Sequence, residues 1–369
     1  PEALEKLPDA QGAELEQAFQ AHRSGRLQEA IDGYRRALQT APRWEVWHNL
    51  AVLLAQQGQD AEAVQAFESA AAMAPANRPE PLVDLGRLLQ QRGQVSEAGR
   101  VFETLVQRQP GAEAWNLLGT ARAAAGEREA AIEAFEQAIR IDPRHAVALS
   151  NRLLALSHDP ACTPEALLAE HRWWERLAAP APPLPPRAAP RTPGPIRVGF
   201  VSPDFRQHAI ARLIEGVFLH HDRERFHFHA YASGSSGDDA VTERLRGLVP
   251  TWRSIAALDD RAAAERVRQD GIDILIDLAG HTAGHRLGLM ARRAAPVQLT
   301  WLGYPSTTGL SCIDARLTSA DLDPASHPTP GSERALPLPG PFFCWTPPEP
   351  ATTPLPVRPP PGDDAGGGI

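Results

Sequence analysis

The chain has 369 residues, a hydrophobic fraction of 43% and a formal net charge of -8, enough apolar material for two or three packed domains. With 37 Lys and Arg against 45 Asp and Glu, it lacks the clustered basic excess that phosphate neutralisation demands, so nucleic acid is not an expected partner. Its three cysteines, Cys162, Cys312 and Cys344, have no CxxC spacing, which speaks for reduced thiols in a cytoplasmic protein rather than a disulfide framework or zinc site, and no apolar run approaches the roughly 18 residues of a membrane span.

The first 145 residues repeat with a period of about 34, the length at which helix-turn-helix units recur in tetratricopeptide arrays. Four copies align on Ala30, Tyr34, Ala37 and Pro42, then Ala63, Phe67, Ala70 and Pro75, then Ala98, Phe102, Leu105 and Pro110, then Ala131, Phe135, Ala138 and Pro143. Small alanines let helices approach, the aromatic is expected to fill the gap between units, and proline ends each second helix. Gly25, Gly58, Gly93 and Gly126 mark the turns, and Leu50-Ala51, Leu85-Gly86 and Leu118-Gly119 mark the first helices, with the first unit degenerate. The array resembles tetratricopeptide repeats, which implies a solenoid whose concave groove grips protein or peptide partners.

Residues 145–158 continue as a fifth half-unit, closing a solenoid over 1–158, and 164–177 form a further amphipathic helix with Trp173 and Trp174. The Pro-rich stretch at 179–195 reads as a semi-rigid spacer that sets the orientation of the repeats and ends a linker region over 159–195.

Beyond it the period changes. Strand-like runs at 196–202, 226–231, 272–278 and 297–302 alternate with helix-like runs at 209–219, 239–248, 261–270 and 287–293, with short strands near 313–318 and 334–338. Such alternation predicts a Rossmann-like parallel-sheet lobe over 196–346, without the GxGxxG fingerprint. The fold class is therefore α + α/β, and a Pro- and Gly-rich segment follows at 347–369.

Three loops carry plausible chemistry at the carboxyl ends of strands. In 201–208, VSPDFRQH, His208 falls at a helix start, where an imidazole can take a proton from a hydroxyl or simply cap the helix. In Gly280-His281-Thr282-Ala283-Gly284-His285, two glycines allow close backbone approach beside hydroxyl and imidazole groups. In 301–309, WLGYPSTTG, a Gly- and hydroxyl-rich turn offers amide donors to an anionic or polyhydroxyl ligand, or is a plain structural turn. Gly284 argues against His281 and His285 sharing a helical face for a metal, and His227 and His229 read as one solvated strand face.

Taken together, SPDFRQHAIARL at 202–213, DGIDILIDLAGHTAGHR at 270–286, APVQLTWLGYPSTTG at 295–309 and the Pro- and Glu-Arg-bearing segment at 321–345 resemble glycosyltransferase family 41, the protein O-GlcNAc transferases and SPINDLY-like proteins. The resemblance implies the amino-terminal half of a GT-B core and an inverting, metal-independent transfer of N-acetylglucosamine from UDP-GlcNAc to Ser or Thr hydroxyls. It further implies His208 as general base or acceptor-orienting residue, with Asp204, Gly280, His281, Thr282, Gly303, Tyr304 and Pro305 around the substrates. GSER at 331–334 departs from the family's aromatic before Ser-Glu, and many relatives carry Tyr where His281 stands. Because the sole lysine is Lys6, the leaving-group partner implied by the family is expected in a second lobe past the last residue, and the chain reads as an inactive fragment. The competing expectations are a tetratricopeptide scaffold with a non-catalytic sugar-binding lobe, and transfer of fucose or glucose.

Overall fold

The structure is a computed structural model that describes residues 9–178, 184, 194–234, 237–324, 326 and 328–345. The segment 347–369 and nearly all of the Pro-rich spacer lie outside the described residues.

Ten helices come first: α1 (Asp9–Arg23), α2 (Leu27–Thr40), α3 (Trp44–Gln56), α4 (Asp60–Met73), α5 (Glu80–Gln91), α6 (Val95–Arg108), α7 (Ala112–Ala124), α8 (Arg128–Ile141), α9 (Ala146–Ser157) and α10 (Pro164–Ala178). The first eight pair into four hairpins. Each hairpin turns on a glycine in the left-handed region, with φ of +72° at Gly25 and Gly58, +75° at Gly93 and +81° at Gly126, where a Cβ would be strained.

The aromatic of each second helix packs against the first helix of its own hairpin. A Cβ on Gly86 would lie 2.3 Å from the Phe102 ring, and one on Gly119 would lie 2.5 Å from Phe135. In the first unit the partners are exchanged: Gly33 on α2 lies against Ala18 on α1, and Tyr34 meets Phe19 edge-on at 5.6 Å. The degenerate unit thus reaches the same close helix contact with different residues.

The lobe is a seven-stranded, all-parallel sheet in the order β3-β2-β1-β4-β5-β6-β7. Its strands are β1 (Ile196–Ser202), β2 (Phe226–Ala232), β3 (Thr251–Ser254), β4 (Ile274–Asp277), β5 (Val297–Thr300), β6 (Ala315–Ser319) and β7 (Arg334–Leu338), and its helices α11 (Ala209–His220), α12 (Ala240–Leu248), α13 (Asp260–Gln269) and α14 (Leu287–Met290). β3 escapes a sequence reading because its four residues sit at a half-exposed edge and show no apolar alternation. The helix expected over 287–293 stops after one turn, where Arg293 takes φ +53° and its guanidinium bonds the Cys312 and Pro296 carbonyls and Asp314.

The expected solvated face of β2 is also corrected: His229 is 6% exposed, its ring between those of His227 and Tyr231. Burial next to His227 pushes its pKa down to about 4.

The solenoid is joined to the lobe by direct packing, to which Leu184 of the spacer adds. Leu149, Leu153 and Trp174 from α9 and α10 share one apolar cluster with Val201, Leu275, Leu287 and Leu310 of the lobe. A boundary drawn at residue 159 cuts through that core. Interdigitated packing of this kind holds two elements at a defined angle far more firmly than a proline segment does.

A candidate cleft at the strand-order reversal

The strand order reverses between β1 and β4, and the crevice beyond the carboxyl ends at such a reversal is where open α/β sheets hold ligands. The loops after β1 and β4 flank it, and the loop after β5 closes its far side.

In the first loop, Ser202 Oγ accepts from the Asp204 amide at 3.0 Å, turning the chain off the strand. Asp204 is buried, with Arg206 on one carboxylate oxygen at 3.4 Å. His208 caps α11: its Nδ1 accepts from the Ile210 amide at 3.2 Å. The side chain is 40% exposed, and Nδ1 lies 3.8 Å from Asp204 Oδ2. Because Nδ1 is an acceptor here, the neutral ring carries its proton on Nε2 and presents a donor outward.

The second loop is bent by Asp277, whose carboxylate accepts from the amides of Ala279 at 3.3 Å and Gly280 at 2.7 Å and from Thr300 Oγ1 at 3.1 Å. Full burial pushes its pKa up to about 6 against the pull of those donors. Gly280 follows at φ +55°, and a Cβ there would lie 2.2 Å from Tyr304 Cβ. Reciprocally, a Cβ on Gly303 would lie 1.9 Å from the Leu278 carbonyl oxygen. The second and third loops interlock through two missing side chains. Gly284, at φ +77°, brings the second loop against Pro203 of the first.

Behind these loops the rings form a closed set. His281 is 0% exposed. Its Nε2–H donates to the Thr308 carbonyl at 2.8 Å, so Nδ1 accepts, from the Ser150 hydroxyl at 3.2 Å. His285 Nδ1 accepts from the Leu287 amide at 3.3 Å, so Nε2–H donates to Ser150 at 2.9 Å. Tyr304 donates its hydroxyl to His171 Nε2 at 2.8 Å, and His171 Nδ1–H donates to the Leu167 carbonyl at 2.6 Å. Trp174 stands edge-on to His281, ring centroids 4.7 Å apart.

Burial lowers the pKa of all three imidazoles: His285 to about 4, His281 well below its ordinary value and His171 in the same direction. All three are neutral at pH 7. His281 and His285 therefore meet at the Ser150 hydroxyl.

The third loop is anchored from below. Glu333, 6% exposed, accepts from Thr307 Oγ1 at 2.5 Å, from the Thr308 amide at 2.7 Å and from the Thr308 hydroxyl. The Gly309 and Leu310 amides are likewise taken by the Thr307 and Thr308 hydroxyls at 3.2 Å. The Thr307 and Thr308 hydroxyls and the Thr308, Gly309 and Leu310 amides are thus spent internally rather than offered to a ligand. Removing the carboxylate strands buried donors, so Glu333→Ala is expected to cost ~3 kcal/mol, read as a lowered urea midpoint. A loss under ~1 kcal/mol would show that the loop holds without its anchor.

Of the sequence-named residues, the structure thus brings His208, Thr282, Gly303 and Pro305 to exposed or half-exposed positions on the crevice loops. It sends the side chains of Asp204, His281 and Tyr304 inward. His281, expected to offer its imidazole to the cleft, has both nitrogens engaged and supports the loop from behind. Sequence reasoning missed Ser150, His171, Asp277 and Glu333. Only Asp277 left a signal, as a carboxylate inside the apolar run ILIDLAG.

Residues 182–345 match the model of glycosyltransferase family 41, and residues 44–77 and 83–146 match tetratricopeptide repeat models. The chain is 38% identical over 225 residues to the probable UDP-N-acetylglucosamine–peptide N-acetylglucosaminyltransferase SPINDLY of Oryza sativa subsp. japonica, covering 58% of this chain and 24% of that protein. To the corresponding SEC protein of Arabidopsis thaliana it is 32% identical over 148 residues, covering 40% of this chain and 15% of the other. A solved Thermobaculum terrenum O-GlcNAc transferase mutant superposes with a TM-score of 0.66 at 30% identity, covering 96% of this chain and 62% of that one. The chain spans a quarter or less of the length of the curated relatives it matches, 24% of the SPINDLY protein and 15% of the SEC protein.

Proposed function

We propose that residues 182–345, which match the model of glycosyltransferase family 41, work as such a domain behind the tetratricopeptide repeats, and that the protein transfers N-acetylglucosamine from UDP-GlcNAc to Ser or Thr hydroxyls of partner proteins, with inversion and without a metal. The observation that carries this reading is the crevice at the β1–β4 reversal, lined by a glycine-rich pair of loops and by the exposed edge of His208.

The acceptor oxygen attacks the anomeric carbon as the bond to the diphosphate oxygen breaks, and the hydroxyl proton passes to an oxygen of the departing diphosphate or to water. For that step His208 holds Nε2–H toward the crevice while Nδ1 is fixed by the Ile210 amide. Its role is to orient an oxygen of the acceptor or donor. Base action through Nε2 would require the ring proton on Nδ1, directed at Asp204 across 3.8 Å. Thr282, Gly303 and Pro305 shape the floor on which the sugar lies. The repeats recruit the protein acceptor, and the three unpaired cysteines agree with work in the cytoplasm.

Intact-mass measurement of sugar transfer by the full-length protein tests the assignment. His208→Ala is expected to lower kcat/KM by on the order of 100-fold, whereas His208→Gln, which retains a donor, is expected to stay within about tenfold of wild type. Unchanged transfer by His208→Ala removes the residue from the reaction.

A further inference from the structure

We infer that Ser150 and His171, on the last two helices of the solenoid, are positioning residues of the cleft: their side chains fix the loops after β4 and β5 and so make the repeat array part of the site's framework. The inference rests on the functional reading above only for its kinetic readout.

The apolar part of the junction, Leu149 and Leu153 against the lobe, buries surface without choosing a loop conformation. The polar part does choose. Ser150 has one proton, and the network closes in one sense only: Leu287 N–H to His285, His285 Nε2–H to Ser150, Ser150 O–H to His281 and His281 Nε2–H to the Thr308 carbonyl. One hydroxyl from the solenoid thereby sets the tautomers and ring planes of two loop histidines and ties the β4 loop to the β5 loop. A Ser150→Ala change leaves one donor and one acceptor unmet where Ser150 is 2% and His281 0% exposed, the situation in which buried polar networks lose cooperatively.

α10 acts on the same loops independently. His171 receives the Tyr304 hydroxyl, and its backbone carbonyl would lie 2.5 Å from a Cβ on Gly309. Glu175 accepts from both the amide and the hydroxyl of Ser311 at 2.7 Å. Tyr304 is the residue that fills the space above Gly280, so a shift of α10 passes to the β4 loop through that ring. Positioning of this kind matters to a cleft, because misplacement by about 1 Å can cost on the order of 100-fold in rate.

Amide hydrogen exchange on the full-length protein separates positioning from adhesion. Ser150→Ala is compared with Leu153→Ala, which weakens the same junction but bonds neither loop. At matched loss of thermal midpoint, Ser150→Ala is expected to raise exchange in 278–287 and 302–310 at least tenfold over Leu153→Ala, with the repeats in α1–α6 unaffected in both. In transfer assays it should raise the acceptor KM at least fivefold, whereas loss of folded protein lowers only apparent kcat. Equal loosening by the two variants overturns the inference. Should Ser150→Ala not fold, His285→Gln, which still donates to Ser150, must protect the loops better than His285→Leu; equal exchange in that pair also overturns it. If wild type itself transfers no sugar, the functional reading fails while the exchange pattern still decides the inference.

Discussion

Gly303→Ala is expected to be among the most damaging single-methyl additions in the lobe, lowering stability by ~3 kcal/mol or more and transfer by at least about 100-fold. The new Cβ would stand 1.9 Å from the Leu278 carbonyl oxygen, and the obstacle is backbone of the adjacent strand end, not a side chain that can swing aside. The loop after β5 must therefore lift off the loop after β4. Gly280→Ala should come close, since its Cβ meets Tyr304 Cβ at 2.2 Å and φ is +55°, adding left-handed strain of roughly 1–2 kcal/mol. The control is Gly99→Ala in α6, where nothing lies within 4 Å and helix propensity predicts a gain of roughly 0.5–1 kcal/mol. Urea unfolding of the three variants gives the comparison; a Gly303→Ala protein as stable as Gly99→Ala would show that the loops do not interlock.

Acidification is expected to loosen the solenoid from the lobe, with stability falling by roughly 2 kcal/mol or more between pH 6.5 and pH 5. His285 and His229 have folded pKa values near 4, and His281 is lowered well below its ordinary 6.5. As pH drops through 6.5 the unfolded chain binds these protons and the folded one does not, so stability is lost across the window from 6.5 down to about 4. Asp277 works against the trend. Its folded pKa, about 6, lies above the ordinary 3.8, so the folded state takes up that proton first and regains about 1.4 kcal/mol per pH unit below 6. These imidazoles, with His171 lowered in the same direction, outweigh the one carboxyl and leave a net loss. Urea midpoints at pH 7.5 and 5.0 measure it, and His285→Gln should take about 1.4 kcal/mol per pH unit out of the slope. A midpoint indifferent to pH in that range would mean that the histidines titrate as free groups do.

Much of the architecture was legible in the residues. Four turn glycines, the alanine and aromatic spacing and the terminal prolines announced the hairpins, and six of the seven strands stand where apolar runs were found. The three crevice loops were also found, because parallel strands place functional loops at their carboxyl ends. What those loops do with their side chains was not legible. His281 and Tyr304 sit in Gly-rich turns that look open to a ligand, yet both turn their polar atoms toward α9 and α10. The hydroxyls of Thr307 and Thr308 looked available as well, and Glu333 takes them.

Local order, then, was determined by the sequence itself: helix and strand periods, glycines at left-handed positions and the placement of three loops at one sheet edge follow from interactions within a few residues. Only the tertiary structure decided which face of each loop is cleft and which is core. Ser150 meets His281 and His171 meets Tyr304 across more than 130 positions of chain, and contacts at that separation leave no period or spacing to read. They exist because the last helices of the solenoid and the sheet bury one apolar core, and that burial brings the two sets of polar groups within hydrogen-bonding distance.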